Sequence, residues 1–548
     1  MDEQAANELL RSGHEALAAA DWPRATSCLE QAREFEETAE ILDGLGQAAH
    51  FQGDFDAAIE YMERAFAAYR GQGNREQAAD LARWLAFLHG MVRANWAVCS
   101  GWMGRAESLL EGVEATSAHG WLALDQAVFI QEISEREQLA TAALAIARRF
   151  GDSDLEFSAL ALIGQMKVAS GHIGDGMALL DQAMAAVSGG EVVLVGAIGE
   201  IYCRLLSACE LATDVRRAEQ WTAGAARFVA WREWVAPTCR CHLGGILIAV
   251  GRWDEAEEQL LTALRVFDRG YRAARLSALV RLADLRVRQG RFEEAERLIE
   301  GAEADPSVRP ILAAIALARG DLALAEELAC LCLEGREETE PGCAPLLEVL
   351  LRVQLGRGDA DGACGTLERL QQLASGSADE RAAAAAQLAA GLVCAAAGDP
   401  HAATHLKHAL EGFAALDLPL EAARAQVELA RALAPGAPEA AAAEARFALA
   451  TFERLGATRD MDATAEVLRG LGAGGGRAWP RRHGLLTKRE TEVLSLLAAG
   501  CSNGDIAGRL VISRRTAEHH VASILSKLNL RSRAEAAAYV ARAPSQDP

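Results

Sequence analysis

Lysine is almost missing from this chain of 548 residues: there are four, Lys167, Lys407, Lys488 and Lys527, and none follows a glycine. A phosphate-cradling loop needs a Gly-Lys-Ser/Thr step, so the sequence argues strongly against a P-loop ATPase. Aromatics make up only 5% and there are 13 prolines. No window sustains strand-like alternation, which excludes the alternating strands and helices of a phospho-accepting receiver domain. No apolar run approaches the roughly 18 residues of a membrane span, and the acidic Met1-Asp2-Glu3 opening, with no apolar run after it, leads us to expect no secretory signal. The 12 cysteines are scattered, which predicts a reduced, cytoplasmic protein without disulfides. Cys239-Arg240-Cys241-His242 and Cys330-Leu331-Cys332 have no second pair at zinc-site spacing and read as buried or half-buried packing cysteines. No nucleophile-and-base set or carboxylate pair can be assembled, so neither an enzyme nor a cofactor is expected.

What is abundant is alanine, which predicts an all-α chain whose helices touch through small side chains. The length implies several domains or a repeat array. The net charge of −22 is unevenly spread. Residues 481–548 hold 11 Lys+Arg against 6 Asp+Glu, a net +5, which leaves −27 on the rest. A basic module on an acidic body points to a nucleic-acid-binding end and a body that does not bind nucleic acid.

A turn signature recurs through the body: Gly, a polar residue, an aromatic or aliphatic residue, two variable positions, then Ala. It stands at Gly53-Asp54-Phe55, Gly251-Arg252-Trp253 and Gly290-Arg291-Phe292, and more weakly at Gly320, Gly358, Gly398 and Ala20-Asp21-Trp22. Degenerate forms are expected near Gly101, Ser134, Gly171, Thr213 and Gly436. Successive turns fall mostly 30 to 42 residues apart, the period of a helical-hairpin solenoid. Around Gly251, Leu243, Gly244 and Leu247 precede the turn, and Trp253, Ala256, Leu260 and Ala263 follow it, each set on one helical face. Small residues let antiparallel helices approach, and large ones fill the gap to the next hairpin. The spacing resembles the tetratricopeptide repeat over roughly residues 5–470. That resemblance implies about 10 to 12 hairpins stacked into a superhelix with a concave groove, the register being least regular from Arg75 to Gly120. Trp84, Trp96, Trp102 and Trp121, with Trp221, Trp231 and Trp234, are expected to fill core between repeats, a ligand cavity being the alternative.

The body ends at about residue 471. Residues 472–482, Gly-Ala-Gly-Gly-Gly-Arg-Ala-Trp-Pro-Arg-Arg, cannot hold a helix and predict a tether spanning on the order of 15–20 Å.

Residues 483–548 read as short helices around a turn. Thr487 and Glu490 form a capping box, and Val493, Leu494, Leu496 and Leu497 form a buried face. Ser502 or Asn503 caps a second helix with Ile506, Ala507 and Leu510 inward. Ser513 caps a third, with Ala517, Val521, Ile524, Leu525 and Leu528 inward. Arg514, Arg515, Glu518, His519, Ala522 and Ser523 lie on its opposite, polar face, which is suited to a major groove. The LT-x-RE-x-EVL, SN-x-x-IA, IS-x-x-T, HV and KL elements, in that order, resemble the LuxR-type (NarL/FixJ-like) helix-turn-helix of bacterial transcription regulators. The resemblance implies a four-helix domain that binds double-stranded DNA as a dimer, its last helix, from about Ser532 to Ala541, available for dimerisation. Lys488, Ser502, Asn503, Ser513, Arg514, Arg515, Thr516, Ser523 and Lys527 are then candidates for the DNA surface, the cations for phosphate contact. Glu518, His519 and Ala522 are candidates for base edges. His520 turns toward the core. Two departures are Ala517, where the family usually has Val, and Glu518, where Lys is common; Glu518 is suited to accept from a cytosine N4 amine.

The expected function is a cytoplasmic transcription regulator. A small molecule or protein in the solenoid groove would control a homodimeric DNA reader, with RNA polymerase a further partner of such a role and no membrane involved. The rival is a tetratricopeptide-like interaction scaffold whose DNA-binding tail only localises it.

Overall fold

The computed structural model describes residues 3–130, 132–225, 237–337, 340–376 and 379–473, and, in the tail, positions 493, 494, 496, 497, 501–503, 506, 521, 524, 535 and 536. The chain divides into two compact units, Met1–Thr464 and Ala465–Pro548.

Among the described residues the first unit is all-helical. Its helices pair into twelve antiparallel hairpins, from Glu3–Ala18 with Trp22–Arg33 to Pro419–Leu433 with Pro438–Leu455, and a single helix, Thr458–Gly470, runs on from the last hairpin across the unit boundary. The repeated turn explains the pairing. Gly53, Gly251, Gly290, Gly320, Gly358 and Gly398 all adopt positive φ between 70° and 81°, the left-handed conformation that ends a helix. An aspartate often follows and caps the next helix: Asp54 accepts from the Ala57 N–H at 3.2 Å, and Asp321 from that of Leu324 at 3.2 Å. Phe55 or Trp253 then inserts into the core.

Close approach needs the small residues. A Cβ built on Gly244 would lie 2.7 Å from Leu260, and one on Gly46 would lie 2.7 Å from Met62. Ala58, Ala65, Ala256, Ala263 and Ala295 are fully buried beside them. The array therefore draws on many short contacts instead of a few large side chains, as the low aromatic content requires.

The irregular region holds a correction. No turn occurs at Gly101, which lies inside helix Trp96–Leu110. The preceding helix, Arg75–Phe87, runs into a π-helical turn, Leu88–Val92, and the chain reverses at Ala94, whose φ is +57°. The wider π turn accommodates an extra residue and shifts the register. Trp96 is another departure, at 50% exposed, whereas Trp253 is buried and Trp84, Trp102, Trp121 and Trp221 are half-buried. Trp231 and Trp234 lie outside the described residues. Of the noted cysteines, Cys239, Cys241 and Cys332 are buried, but Cys330 is exposed.

The first helices of successive hairpins touch one another, whereas the second helices largely do not. The first helices therefore form the inner layer of the superhelix. Segments far apart in sequence also meet. Thr458 donates to the Gln289 carbonyl at 2.7 Å, Arg288 pairs with Glu421 at 2.9 Å, and Arg459 donates to the Ala318 carbonyl at 3.2 Å. These contacts tie the last helices of the solenoid to its middle. Among the described residues no helix is long and apolar enough to cross a membrane.

Candidate nucleic-acid interface and the inner face of the solenoid

The tail unit can be read at a few positions. Val493, Leu494 and Leu497 are helical and buried and Leu496 is half-buried, the face expected of its first helix. The Cys501 N–H reaches back to the Leu496 carbonyl at 3.0 Å, the closing bond of a helix C-terminus. Ser502 is exposed, and its carbonyl accepts from the Ile506 N–H at 2.9 Å. Accepting the first bond of a helix is what a cap residue does, so Ser502, not Asn503, occupies that position. Ile506, Val521, Ile524 and Ala536 are buried. Buried apolar positions thus fall in each of the four expected helices.

Of the candidate DNA-surface residues, Ser502 and Asn503 are described. Lys488, Ser513, Arg514, Arg515, Thr516, Glu518, His519, Ala522, Ser523 and Lys527 lie outside the described residues. So do the tether from 474 to 482, the capping pair Thr487 and Glu490, the inward Ala507, Leu510, Ala517, Leu525 and Leu528, His520, and most of the helix from 532.

The inner layer of the solenoid carries polar clusters that the sequence did not reveal. Glu210, on helix Val195–Ala212, accepts from Arg281, on helix Arg275–Arg288, at 2.7 and 2.6 Å. It also meets His242 Nδ1, on helix Pro237–Ala249, at 2.7 Å. Three consecutive inner helices are thereby joined by one carboxylate. Burial alone would raise the Glu210 pKa, but Arg281 and His242 outweigh it and hold it at about 2. Burial likewise opposes charge on His242, yet hydrogen bonds to Cys203 and Glu210 raise it to about 9. Similar bridges link other inner helices: Arg83 to Asp125, Gln165 to Ser207 at 2.9 Å, Arg204 to Gln165 at 3.4 Å, and Arg424 to Asp460 at 2.9 Å. An aromatic group surrounds His50, which burial pushes down to about 4. A cleft of about 520 Å³ opens where the Val250–Gly251 turn meets Leu418, Pro419, Gln426 and Arg454. The only sign of these clusters in the sequence was the Cys-x-Cys-His run; Glu210, Arg281 and Cys203 have no local signature.

Comparison with known proteins bears on both units. Residues 484–540 match the family described as bacterial regulatory proteins, luxR family. Residues 238–304 and 39–72 match tetratricopeptide-repeat families. The Bacillus subtilis transcriptional regulatory protein LiaR is 43% identical over 77 residues, which is 14% of this chain and 36% of that protein. The oxygen regulatory protein NreC of Staphylococcus epidermidis is 47% identical over 55 residues, 10% of this chain and 25% of that protein. The chain thus spans about a third or less of the length of these curated relatives. Among solved structures, the APC/C hetero-tetramer Cut9–Hcn1 aligns over 85% of this chain and 96% of that one, at 13% identity and a TM-score of 0.37. Yeast Tom70 aligns over 86% and 97%, at 12% identity and a TM-score of 0.31. The C-terminal segment is a luxR-family DNA-binding domain, and the N-terminal region carries tetratricopeptide repeats.

Proposed function

We propose that the chain is a transcription regulator that reads a major-groove operator through residues 483–548, under the control of a ligand or protein bound by the solenoid of residues 1–471, with 472–482 as a tether. The luxR-family match over residues 484–540 carries this reading. It covers every candidate DNA contact from Lys488 to Lys527. Arg514, Arg515, Lys488 and Lys527 hold phosphates, with the Ser502–Asn503 helix start and the Ser513–Thr516 start beside them. Glu518, His519 and Ala522 read base edges, and Ser523 flanks them.

One module, of charge +5 with Arg481 and Arg482 of the tether counted in, binds weakly alone, so two copies act on two half-sites. The solenoid's part is to change packing or self-association when its inner face is occupied. Its repeats suit a peptide or protein, and the cleft beside Gly251 suits a smaller effector. The protein works in the cytoplasm, where RNA polymerase is a further partner.

Selection of bound duplexes from a random DNA pool by the full-length protein tests this. A paired motif with half-sites about one helical turn apart is the expected result. A pool that never enriches, from protein that still folds, would overturn it.

A further inference from the structure

The solenoid meets itself along a seam, where successive hairpins from the sixth to the ninth touch the last hairpin and the helix after it. Arg216, at the start of helix Val215–Ala225, stands 4.0 Å from Asp417. In the next hairpin a Cβ on Gly251 would lie 2.6 Å from Leu455 and 2.9 Å from Pro419. In the one after, the Gln289 carbonyl accepts from Thr458 at 2.7 Å, and a Cβ on Gly290 would lie 2.9 Å from Thr458 and 3.2 Å from Arg459. Arg459 then donates to the Ala318 carbonyl of the ninth hairpin at 3.2 Å, with its guanidinium 6.0 Å from the centre of the Phe292 ring.

This seam is built unlike the joints between consecutive hairpins. Those close on fully buried apolar side chains, such as Leu406, Ala409 and Phe413 of helix Ala402–Ala415. Across the seam, Ala249 packs on that same core and Gly251 takes Leu455 and Pro419, but the polar contacts lie mostly at the surface. The Thr458 and Arg459 hydrogen bonds are exposed, and so are Arg216 and Asp417. Exposed ion pairs add little. A cleft of about 520 Å³ remains between the Val250–Gly251 turn and Leu418, Pro419, Ala422 and Leu455, so the seam is not filled. A joint with little buried apolar area is where a repeat array parts first. Behind it the charged groups of the inner helices are enclosed: Glu210, Arg281, Arg288 and Glu421 have side chains 22% exposed or less.

We propose that the solenoid opens and closes along this seam as one unit. The last hairpin and helix Thr458–Gly470 move together, because Arg424 and Asp460 join them at 2.9 Å, and they part from the seventh, eighth and ninth hairpins. Opening uncovers the enclosed inner face for a peptide or effector. It also moves the helix from which the chain runs on into the tether, so occupancy of the inner face changes where the tether begins. That regulatory use rests on the function proposed above; the opening itself does not, and it is measured without DNA.

Two glycine caps give a matched test. Gly290 and Gly320 hold the same left-handed backbone, φ +79° and +81°, so alanine strains each alike. A Cβ at 290 meets Thr458 and Arg459 across the seam, whereas one at 320 meets nothing within 4 Å. Full-length wild type, Gly290→Ala and Gly320→Ala are treated with hydroxyl radicals, and side-chain oxidation is measured by mass spectrometry. Val250 and Leu455, which line the cleft beside the other glycine, report opening; Phe413, fully buried, and Phe447, 68% exposed, are the references. Gly290→Ala should raise oxidation of Val250 and Leu455 by roughly threefold with the references unchanged, and Gly320→Ala should match wild type. Thr458→Val combined with Arg459→Ala removes the two exposed hydrogen bonds without backbone strain and should give the same rise, which decides the matter if Gly290→Ala fails to fold. Oxidation of Val250 and Leu455 that stays at the wild-type level in the seam variants would overturn the proposal, because the wedge would then be absorbed locally and the seam would be a fixed joint.

Discussion

The Tyr271 hydroxyl lies 3.4 Å from Nε2 of His50, across 221 residues of sequence. Around them Phe55, Trp84 and Phe87 meet the His50 ring edge-on, and Gly270 leaves room for Phe55, whose ring would lie 2.3 Å from a Cβ there. Tyr271 holds a left-handed backbone, φ +57°, in doing so. A short turn in the seventh-to-eighth hairpin connection thus reaches the second hairpin and braces the solenoid from within.

Removing that brace should be costly. Tyr271 is half-buried, so Tyr271→Ala is expected to destabilise the solenoid by about 2–3 kcal/mol, below the range for losing a fully buried aromatic, whereas Tyr271→Phe keeps the packing and should lose about 1 kcal/mol. Urea unfolding of the two variants measures the difference; equal losses would mean that the ring carries none of the bracing.

His50 adds a pH dependence. Its folded pKa, about 4, is below the ordinary 6.5, and burial is the cause. As pH falls from 6.5 to 4, the unfolded chain gains a proton that the folded chain refuses, so stability is present above 6.5 and is lost on acidification. The limit is ~3 kcal/mol. His50→Leu should flatten the stability profile between pH 6.5 and 4 relative to wild type. Profiles that stay parallel would contradict the burial argument.

Glu210 gives the opposite alkaline signature through its partner. His242 is raised to about 9, so its contribution is complete below 6.5 and is lost as pH rises through 9. Glu210, held at about 2, contributes above its ordinary 4.5 and is lost only in acid. Arg281→Met leaves that carboxylate enclosed with His242 alone and should cost about 3–5 kcal/mol at pH 7. Glu210→Gln with Arg281→Met should cost less than the single arginine change. Measured additivity of the two substitutions would show that the pair is not coupled.

The hairpins were legible because their turn chemistry is local: a left-handed glycine, a capping aspartate and an inserted ring lie within three residues, as at Gly53-Asp54-Phe55. The turn at Ala94 was hidden for the same reason. Alanine occupies the left-handed site there, Asn95 follows where aspartate usually stands, and a π turn displaces the spacing. The Tyr271–His50, Arg288–Glu421 and Thr458–Gln289 contacts were invisible because they depend on superhelical curvature, which no window of sequence encodes. The tail was legible as a motif, and its described core, Val493, Leu494, Leu497, Ile506, Val521 and Ile524, lies on the predicted faces.

That reasoning predicts a gain from restoring the usual turn. Ala94→Gly removes a left-handed strain of about 1–2 kcal/mol from the folded chain, partly offset by the greater freedom of glycine when unfolded. The net expectation is stabilisation by about 0.5–1 kcal/mol, read as a higher urea midpoint at unchanged slope. A lower midpoint would mean that the turn relies on the alanine methyl for packing.

The DNA surface separates by the type of contact. Arg515, at the start of the expected third helix, is proposed to hold phosphate. Arg515→Ala should therefore weaken every duplex alike and lower the slope of log affinity against log salt by about 1. Glu518 is proposed to face a base edge. Replacing it with Ala should leave the salt slope in place and shift the selected sequence, with about 1–3 kcal/mol of discrimination lost at one base pair. Binding and selection on the same two variants distinguish positioning from reading. If Arg515→Ala changes the consensus and Glu518→Ala changes only the salt response, the two roles are reversed. The third helix would then enter the groove with its arginine pair toward the bases.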